Sequence, residues 1–272
     1  MKKETYNFHR IKFTADIKKI DHFQILNRAF NLDMLDIETE QRNLLYNFIY
    51  SIKEKGRHIK SQVYQDVFAD FLISKKHDKT FLEFGATDGL ELSNTYLLEN
   101  YSDWNGVLGE PDPQWHQQLK KNRPNSKIIT ECVWTKSNEE VEFLSSDNGV
   151  LSTISSFRYS DKDTMYNNAE LRNKSFKKIN IKTISLNDLI KREFNEISPS
   201  YISVDTEGSE YEILKNFNFS KYKPIFLTIE HNYTANQKNL DDLMLKNDYI
   251  RIFRKITSFD GWYVQKEVLN KL

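Results

Sequence analysis

The sequence predicts an α/β fold built around a mostly parallel sheet. From residue 60 onward, short apolar segments of strand length alternate with segments of helix length, and such alternation is typical of a parallel sheet covered on both faces. The first two apolar segments end in the acids Glu83 and Glu110, the layout of a nucleoside-binding α/β fold. The last two segments are joined by a turn around 259–261, which predicts an antiparallel hairpin at one edge.

The individual elements follow from the positions of these apolar segments. The predicted strands are Thr80–Phe84, Gly106–Glu110, Lys127–Val133, Ile179–Thr183, Tyr201–Asp205, Ile225–Glu230, Tyr249–Arg254 and Trp262–Gln265, with Val141–Leu144 as an added hairpin strand. The predicted helices are Val63–Ile73, Asn94–Asn100, Gln114–Lys121, Leu186–Phe194, Tyr211–Phe217 and Leu240–Asn247. The polar segment 145–176 has no clear periodicity, and spans of this kind are usually functional or mobile.

Residues 1–60 differ in composition from the rest of the chain. They contain one glycine, Gly56, and no proline, and their apolar residues recur at helical spacing. This predicts one or two helices that end near Lys55, and it divides the chain into an N-terminal helical extension, residues 1–60, and a main domain, residues 61–272. We expect the extension to pack on the main domain or to form a homo-oligomer with a neighbouring subunit. A lid that contacts substrate is the alternative.

Composition excludes several classes of partner. Basic and acidic residues both number 39, so the net charge is zero, whereas a general nucleic-acid binder needs a basic surplus to neutralise phosphates. No apolar run approaches the ~20 residues that cross a bilayer, and Met1–Glu4 is not followed by an apolar signal core. The single cysteine, Cys132, cannot form an intrachain disulfide. Together these features predict a cytoplasmic protein without a membrane span and without a nucleic-acid partner.

The turn at 83–89 has acids where a phosphate loop has glycines. It lacks the Gly-x-Gly-x-x-Gly spacing and the Gly-Lys-Ser/Thr sequence. Carboxylates at Glu83 and Asp88 would repel the phosphates of a dinucleotide but attract an ammonium or a sulfonium. S-adenosylmethionine carries both cations and no phosphate, and Glu110 could accept hydrogen bonds from its ribose diol. The alternative is that these acids only cap helices.

Two later strand ends carry residues suited to proton transfer. Asp205 and Glu207 follow a strand whose carboxyl end faces the ligand crevice of an open α/β sheet. Glu230 and His231 end the next strand, and a histidine held by Asp205 or Glu230 could take the proton of a hydroxyl. The alternatives are a helix start near Ser209 and a structural histidine.

The same acids could hold a metal ion. Asp205, Glu207 and Glu230 offer the oxygen ligands that Mg²⁺ prefers, but nothing in their spacing requires an ion. No metal ligand is therefore assigned, and Mg²⁺ is left open.

In their order along the chain, these motifs resemble the FkbM family of S-adenosylmethionine-dependent methyltransferases. The resemblance is carried by Phe81–Gly89, Leu92–Thr95, Trp104–Pro111, Val204–Glu210 and Ile229–Asn232. It implies a class I methyltransferase (Rossmann-like) fold with a seven-stranded sheet and an antiparallel terminal hairpin. It also implies S-adenosylmethionine as cofactor and O-methylation, with a small molecule or a glycan as acceptor, commonly at a sugar hydroxyl.

The resemblance also implies roles for single residues. The catalytic candidates are His231, Asp205 and Glu230. The cofactor-binding candidates are Glu83, Gly85, Ala86, Asp88, Gly89, Ser93, Glu110, Pro111, Cys132, Val133 and Asp205. Two other functions stay open, a non-catalytic binding protein on a methyltransferase fold and an NAD-dependent oxidoreductase, although the second would need the glycine-rich turn that is absent here.

Overall fold

The structure is a computed structural model that falls into two compact units, residues 1–56 and 57–272. It describes residues 4–8, 11–15, 39–55, 58–73, 77–147, 149–161, 164, 168–172, 174–254 and 256–271. None of the helices in these ranges is long and apolar enough to cross a membrane.

The described part of the N-terminal unit contains a hairpin and one helix. Strands β1 (Glu4–Phe8) and β2 (Ile11–Ala15) pair antiparallel, with Phe8 opposite Ile11. Helix α1 (Thr39–Lys55) ends where the sequence predicts. The sequence analysis does not predict this hairpin, although its alternation of Tyr, Phe and Ile with polar residues favours strands.

The larger unit alternates strands and helices. Its strands are β3 (Thr80–Phe84), β4 (Asn105–Gly109), β5 (Lys127–Ile129), β6 (Cys132–Trp134), β7 (Glu140–Ser146), β8 (Thr153–Ile154), β9 (Phe176–Ser185), β10 (Tyr201–Val204), β11 (Phe226–Glu230), β12 (Tyr249–Ile252) and β13 (Asp260–Gln265). Its helices are α2 (Gln65–Leu72), α3 (Tyr96–Tyr101), α4 (Pro113–Asn122), α5 (Asn168–Arg172), α6 (Leu186–Glu193), α7 (Glu210–Leu214), α8 (Asn236–Lys246) and α9 (Lys266–Leu269).

A seven-stranded sheet forms the centre of this unit, in the order β5-β4-β3-β10-β11-β13-β12. The neighbours among the first five strands pair in parallel, and β13 pairs antiparallel with both β11 and β12. The predicted α/β class, the class I methyltransferase topology and the antiparallel terminal hairpin are therefore confirmed. The strand order reverses between β3 and β10, and ligands of open α/β sheets bind at such a switch point.

Apolar side chains cover both faces of this sheet. One face packs against α6, α7 and α8 through buried residues such as Leu82, Ile202 and Leu240. Phe68 of α2 packs against Phe226 and Trp262, and its ring centroid lies 5.1 and 5.0 Å from theirs. Because side chains alternate between the faces of a strand, every central strand is apolar on both sides, as its sequence predicts.

The predicted strand Lys127–Val133 is two strands in two different sheets. β5 closes the large sheet, and the chain then turns at Thr130 and Glu131 so that β6 joins a four-stranded sheet of order β6-β9-β7-β8. The predicted strand Ile179–Thr183 is the middle of β9 and belongs to this second sheet. The single-strand prediction was wrong because two apolar pairs, 128–129 and 132–133, were joined across the polar residues Thr130 and Glu131, at which the chain turns.

Candidate active site

A cavity of about 280 Å³ opens at the carboxyl ends of β3, β4, β10 and β11. Its lining includes seven carboxyl side chains and, among the described residues, no Lys, Arg or His. These acids are Glu83, Glu91, Glu110, Glu131, Asp205, Glu207 and Glu230. Such a lining favours a cationic ligand and repels phosphate groups.

Gly85 allows the two central strands to approach each other at the cavity. Its φ is +84° and its N–H donates to the carbonyl of Gly109 at 3.0 Å. A Cβ at this position would overlap the main-chain oxygen of Asp205, so only glycine satisfies both the backbone angle and the close approach. The predicted glycine of the turn therefore sets the distance between β3 and β10.

The carboxylate of Glu83 is fully engaged inside the protein. It accepts hydrogen bonds from the Asn94 N–H (2.8 Å), from the hydroxyl of Ser93 (3.1 Å) and from that of Thr95, and it lies 3.9 Å from the buried guanidinium of Arg123. Burial raises its pKa, while Arg123 and the hydrogen bonds act in the opposite direction. Glu83 thus fixes the loop 93–95 at the cavity wall.

Glu110 joins the turn at 83–89 to the end of β4. Its two carboxylate oxygens accept from the N–H groups of Thr87 and Asp112, both at 2.8 Å. Burial raises its pKa to about 8, against the effect of these two hydrogen bonds. Each oxygen keeps a second lone pair, so the carboxyl group can still receive a hydrogen bond from a ligand hydroxyl.

The ends of β10 and β11 bring three carboxyl groups together. Oxygens of Asp205, Glu207 and Glu230 lie within 4.8 Å of one another. Burial and the neighbouring acids raise the pKa of Asp205 to about 7 and those of Glu207 and Glu230 well above their usual range. At this separation the carboxyl groups repel one another when they are all ionised, which favours a proton or a cation between them.

Residues 149–161, which we call the cover segment, lie over these strand ends. The hydroxyl of Thr153 donates to the carbonyls of Thr206 (3.2 Å) and Glu207 (3.1 Å). The hydroxyl of Ser152 donates to Asp112 at 2.9 Å. Fully buried Arg172 donates to the carbonyls of Leu151 and Arg158 and to the carboxylates of Asp161 and Glu207. The cover segment is therefore held to the loop after β10, to Asp112 and to α5 at several positions between Leu151 and Asp161.

The structure brings most of the predicted site residues to one cavity. Those that line it are Glu83, Gly85, Ala86, Ser93, Glu110, Pro111, Cys132, Val133, Asp205 and Glu230. Asp88 and Gly89 do not line it. Asp88 instead accepts from the N–H groups of Leu90 and Glu91, and so closes the turn. Cys132 is buried among apolar residues, and burial raises the pKa of its thiol to about 12, which fits an apolar filler rather than a nucleophile.

His231 lies behind the cavity wall. Its Nδ1 is 3.1 Å from the N–H of Tyr233, and its Nε2 is 2.8 Å from the guanidinium of Arg251. A neutral imidazole has one acceptor nitrogen, and at either position that nitrogen faces a donor of the protein, so it is not open to a substrate hydroxyl. Burial, and then Arg251, lower its pKa to about 3. This geometry favours a structural role for His231 over the predicted general base.

Several cavity residues carried no clear signal in the sequence. Asn94 is buried, donates to the hydroxyl of Ser203 at 3.0 Å, and leaves its Oδ1 without a partner. Val150 and Leu151 reach the cavity from the polar segment 145–176. The composition of the segment 145–176 predicts an acceptor-facing loop in which the rings of Tyr159 and Tyr166 suit a sugar. Tyr159 is exposed and does not line the cavity, and Tyr166 lies outside the described residues.

Comparison with protein families gives a match for most of this unit. A family model described as the methyltransferase FkbM domain matches residues 83–258. The chain belongs to the FkbM methyltransferase family. It is an S-adenosylmethionine-dependent methyltransferase, as the acidic turn and the class I topology predict. Comparison with curated proteins gives no match.

Solved structures similar to this FkbM protein share little sequence with it. A human methyltransferase 10 domain containing protein is 10% identical with a TM-score of 0.41, covering 86% of this chain and 98% of that chain. The N-terminal domain of human METTL16, in complex with SAH, is 11% identical with a TM-score of 0.40, covering 92% and 96%. A Methanococcus jannaschii fibrillarin pre-rRNA processing protein is 11% identical with a TM-score of 0.39, covering 75% and 74%.

The cavity fits S-adenosylmethionine in both charge and shape. The free Oδ1 of Asn94 and the surrounding carboxyl groups suit an ammonium and a sulfonium. Glu110 is placed to accept from hydroxyl groups. Val133, Phe143 and Ile154 form an apolar part of the lining that suits a planar ring.

Proposed function

We propose that this FkbM protein methylates a hydroxyl oxygen, with a sugar of a glycan, polysaccharide or natural product as acceptor. The observation that carries the proposal is the group of three carboxyl side chains, Asp205, Glu207 and Glu230, on the floor of the cofactor cavity. A hydroxyl must lose its proton as it is methylated, and these three carboxyl groups line the cavity in which the acceptor would meet the cofactor. Polar and apolar residues of the cover segment supply a mixed wall that suits a sugar ring.

The residues of the chain would divide the work between binding and proton transfer. When bound, the cofactor supplies a methyl group on a sulfonium, whose C–S electron pair stays on sulfur as the acceptor oxygen forms the C–O bond. Glu110 and Asn94 hold the donor, and the cover segment excludes water. Asp205 or Glu230 receives the hydroxyl proton at a carboxylate oxygen. Alignment of the two reactants at ~3 Å provides most of the rate.

Cofactor binding and acceptor class can be tested separately. Calorimetry should show binding of S-adenosylmethionine and none of NAD. Product S-adenosylhomocysteine should then form with acceptors from a panel of free sugars, nucleotide sugars and oligosaccharides, but not with matched amines or with RNA. Cofactor binding with turnover only on amines or RNA would refute the proposed acceptor, and binding of NAD in its place would refute the cofactor assignment.

A further inference from the structure

A second, much smaller cavity lies directly behind the carboxyl cluster. Its volume is about 10 Å³, which is the space that one water molecule or one ion occupies. Asp161, Glu207, Glu210 and Glu230 line it, and Glu207 and Glu230 also line the large cavity. These two side chains therefore lie between the large cavity and the small cavity.

One oxygen in this compartment has no partner within the described protein. Asp161 is 2% exposed, and its Oδ1 pairs with Arg172 at 3.3 Å, but its Oδ2 is buried and accepts no hydrogen bond. An unsatisfied carboxylate oxygen at full burial is costly. Because Asp161 lines the small cavity, this position indicates that a water molecule or an ion in that cavity satisfies the Oδ2 atom.

The charge of the cluster leads to the same conclusion. Five carboxyl groups lie together, namely Asp161, Asp205, Glu207, Glu210 and Glu230. Arg172 pairs with Asp161 and Glu207, and backbone N–H groups of Thr206 and Gly208 donate to Glu210. The hydrogen bonds and ion pairs of the described residues give the Asp205 and Glu230 side chains no cationic partner, although oxygens of both lie within 4.8 Å of one another and of Glu207.

We propose that Asp205, Glu207 and Glu230 bind a divalent cation with a preference for oxygen ligands, such as Mg²⁺ or Mn²⁺, and that a water ligand of this ion, held in the small cavity, donates to the free oxygen of Asp161. Two oxygens on one ion are separated by at most about 4–5 Å, twice a metal–oxygen distance of ~2.1–2.5 Å. The 4.8 Å limit on the three oxygens agrees with that separation. The positive charge of the cation offsets the mutual repulsion of the three carboxylates.

This inference also gives the cluster a role in the proposed function, on which that role rests. An ion held at the floor of the large cavity would contact the acceptor hydroxyl and make its proton easier to remove. Asp205 and Glu230 would each use one oxygen for the ion and keep the other to receive the proton, whereas the second oxygen of Glu207 pairs with Arg172. The binding of the ion itself does not depend on the identity of the acceptor.

The test is a titration of the full chain, freed of metal by EDTA dialysis, with MnCl₂ alone. Electron paramagnetic resonance measures free Mn²⁺, and calorimetry with MgCl₂ gives the stoichiometry. We expect one tight site, an affinity at least tenfold weaker in Asp205→Asn and Glu230→Gln, and no change in Glu91→Gln, whose acid lines the large cavity outside the cluster. Asp161→Asn, which keeps the side-chain shape, should weaken binding less.

The outcomes separate this inference from the proposed function. Absence of saturable Mn²⁺ and Mg²⁺ binding in the wild-type chain would overturn the cation site, and so would unchanged binding in both cluster variants. If a variant fails to fold, as judged by circular dichroism, Asp161→Asn decides, because unchanged affinity in that folded variant would overturn the role of its free oxygen. Sugar methylation that persists in EDTA would leave the proposed function intact and overturn the role of the cation in it.

Discussion

Arg172 donates a hydrogen bond to Glu207 at 2.9 Å and so links the end of α5 to the strand end that carries the carboxyl cluster. The Arg172 side chain is fully buried. Its other donors hold two carbonyls of the cover segment and Asp161. The guanidinium of Arg172, a planar group with five N–H donors, therefore holds both the cover segment and the strand end that carries the carboxyl cluster.

Arg172→Gln should destabilise the protein and loosen the cover segment. Removal of one partner of a buried ion pair leaves uncompensated acids, and we expect a loss of about 3 kcal/mol in the free energy of unfolding. Limited proteolysis should cut residues 149–161 faster in the variant. Arg192→Gln is the matched control, because Arg192 pairs with Glu131 while 44% of its side chain is exposed, and we expect a loss below about 1 kcal/mol. Equal losses in the two variants would contradict the anchoring role.

Glu110→Gln should weaken cofactor binding while the fold persists. The amide keeps one acceptor oxygen but replaces the second with an NH₂ group, which faces the N–H of Thr87 or of Asp112 and cannot accept from a ligand hydroxyl. We expect the dissociation constant of S-adenosylmethionine to rise about 10–100-fold, equivalent to about 1.4–2.7 kcal/mol, as measured by calorimetry. Glu91→Gln, at an exposed position of the same cavity, should change it less than threefold. An equal effect at both positions would show that only the overall negative charge matters.

His231→Gln should affect stability and leave proton transfer unchanged. The imidazole contacts Arg251 and the Tyr233 N–H and lies outside the large cavity. We expect a loss of about 1–2 kcal/mol of unfolding free energy, since a buried hydrogen-bond acceptor is replaced imperfectly, with kcat on the active sugar acceptor changed less than threefold. Glu230→Gln should instead lower kcat by about 10²–10⁴-fold. A large fall of kcat in His231→Gln with unchanged cofactor affinity would restore the general-base role predicted from sequence.

Sequence patterns predicted the large sheet better than the surroundings of the site. The strand ends at Glu83, Glu110 and Asp205 could be located because each apolar run stops at an acid, and parallel strands bring their carboxyl ends to one edge. The role of Glu83 could not be predicted, since its partners Asn94 and Arg123 come from distant segments. The bend after β5 and the contacts of the cover segment depend on tertiary packing, which leaves no local period in the sequence.

The role of His231 shows the same limit from the opposite side. Its position next to Glu230 was read correctly as a strand end, but successive residues of a strand point to opposite faces. A histidine adjacent to a cavity acid is therefore expected to face away from that cavity when the strand geometry continues. The cluster partner Glu207 was placed near the reactive end from its position after β10, and the structure brings it within reach of Asp205 and Glu230.

Gly85→Ala should disrupt the site and the sheet together. The residue has φ of +84°, and a Cβ would overlap the carbonyl oxygen of Asp205. The left-handed angle alone costs about 1–2 kcal/mol, and the separation of the strand ends adds to it, so we expect a loss above about 3 kcal/mol and no measurable cofactor binding. Gly109→Ala is the control, because its φ is not positive and the nearest atom to an added Cβ is at 3.1 Å. Similar stability of the two variants would contradict the close approach of β3 and β10.

Asp66→Asn should remove a pH-dependent cost to stability. Asp66 is fully buried at the start of α2, where its Oδ1 accepts from Ser61 (2.6 Å) and the Val67 N–H (2.8 Å) and its Oδ2 has no partner. Burial raises its pKa from 3.8 to about 6. The unfolded chain therefore releases this proton at lower pH than the folded chain does. The contribution of Asp66 to the free energy of unfolding is therefore fully present below pH 3.8 and is lost as pH rises through about 6.

The predicted size of this effect is about 2 kcal/mol between pH 4.5 and pH 8, from a shift of roughly two pKa units. Urea unfolding of wild type and Asp66→Asn at both pH values measures it, and the variant should gain on wild type by that amount as pH rises. Asp188→Asn is the control, because the pKa of Asp188 is shifted in the opposite direction. Hydrogen bonds from Ser137 and Ser185 lower it. Its difference from wild type should stay flat over this range, since that carboxylate is ionised throughout. A flat difference for Asp66→Asn as well would mean that Asp66 keeps its charge in the folded protein.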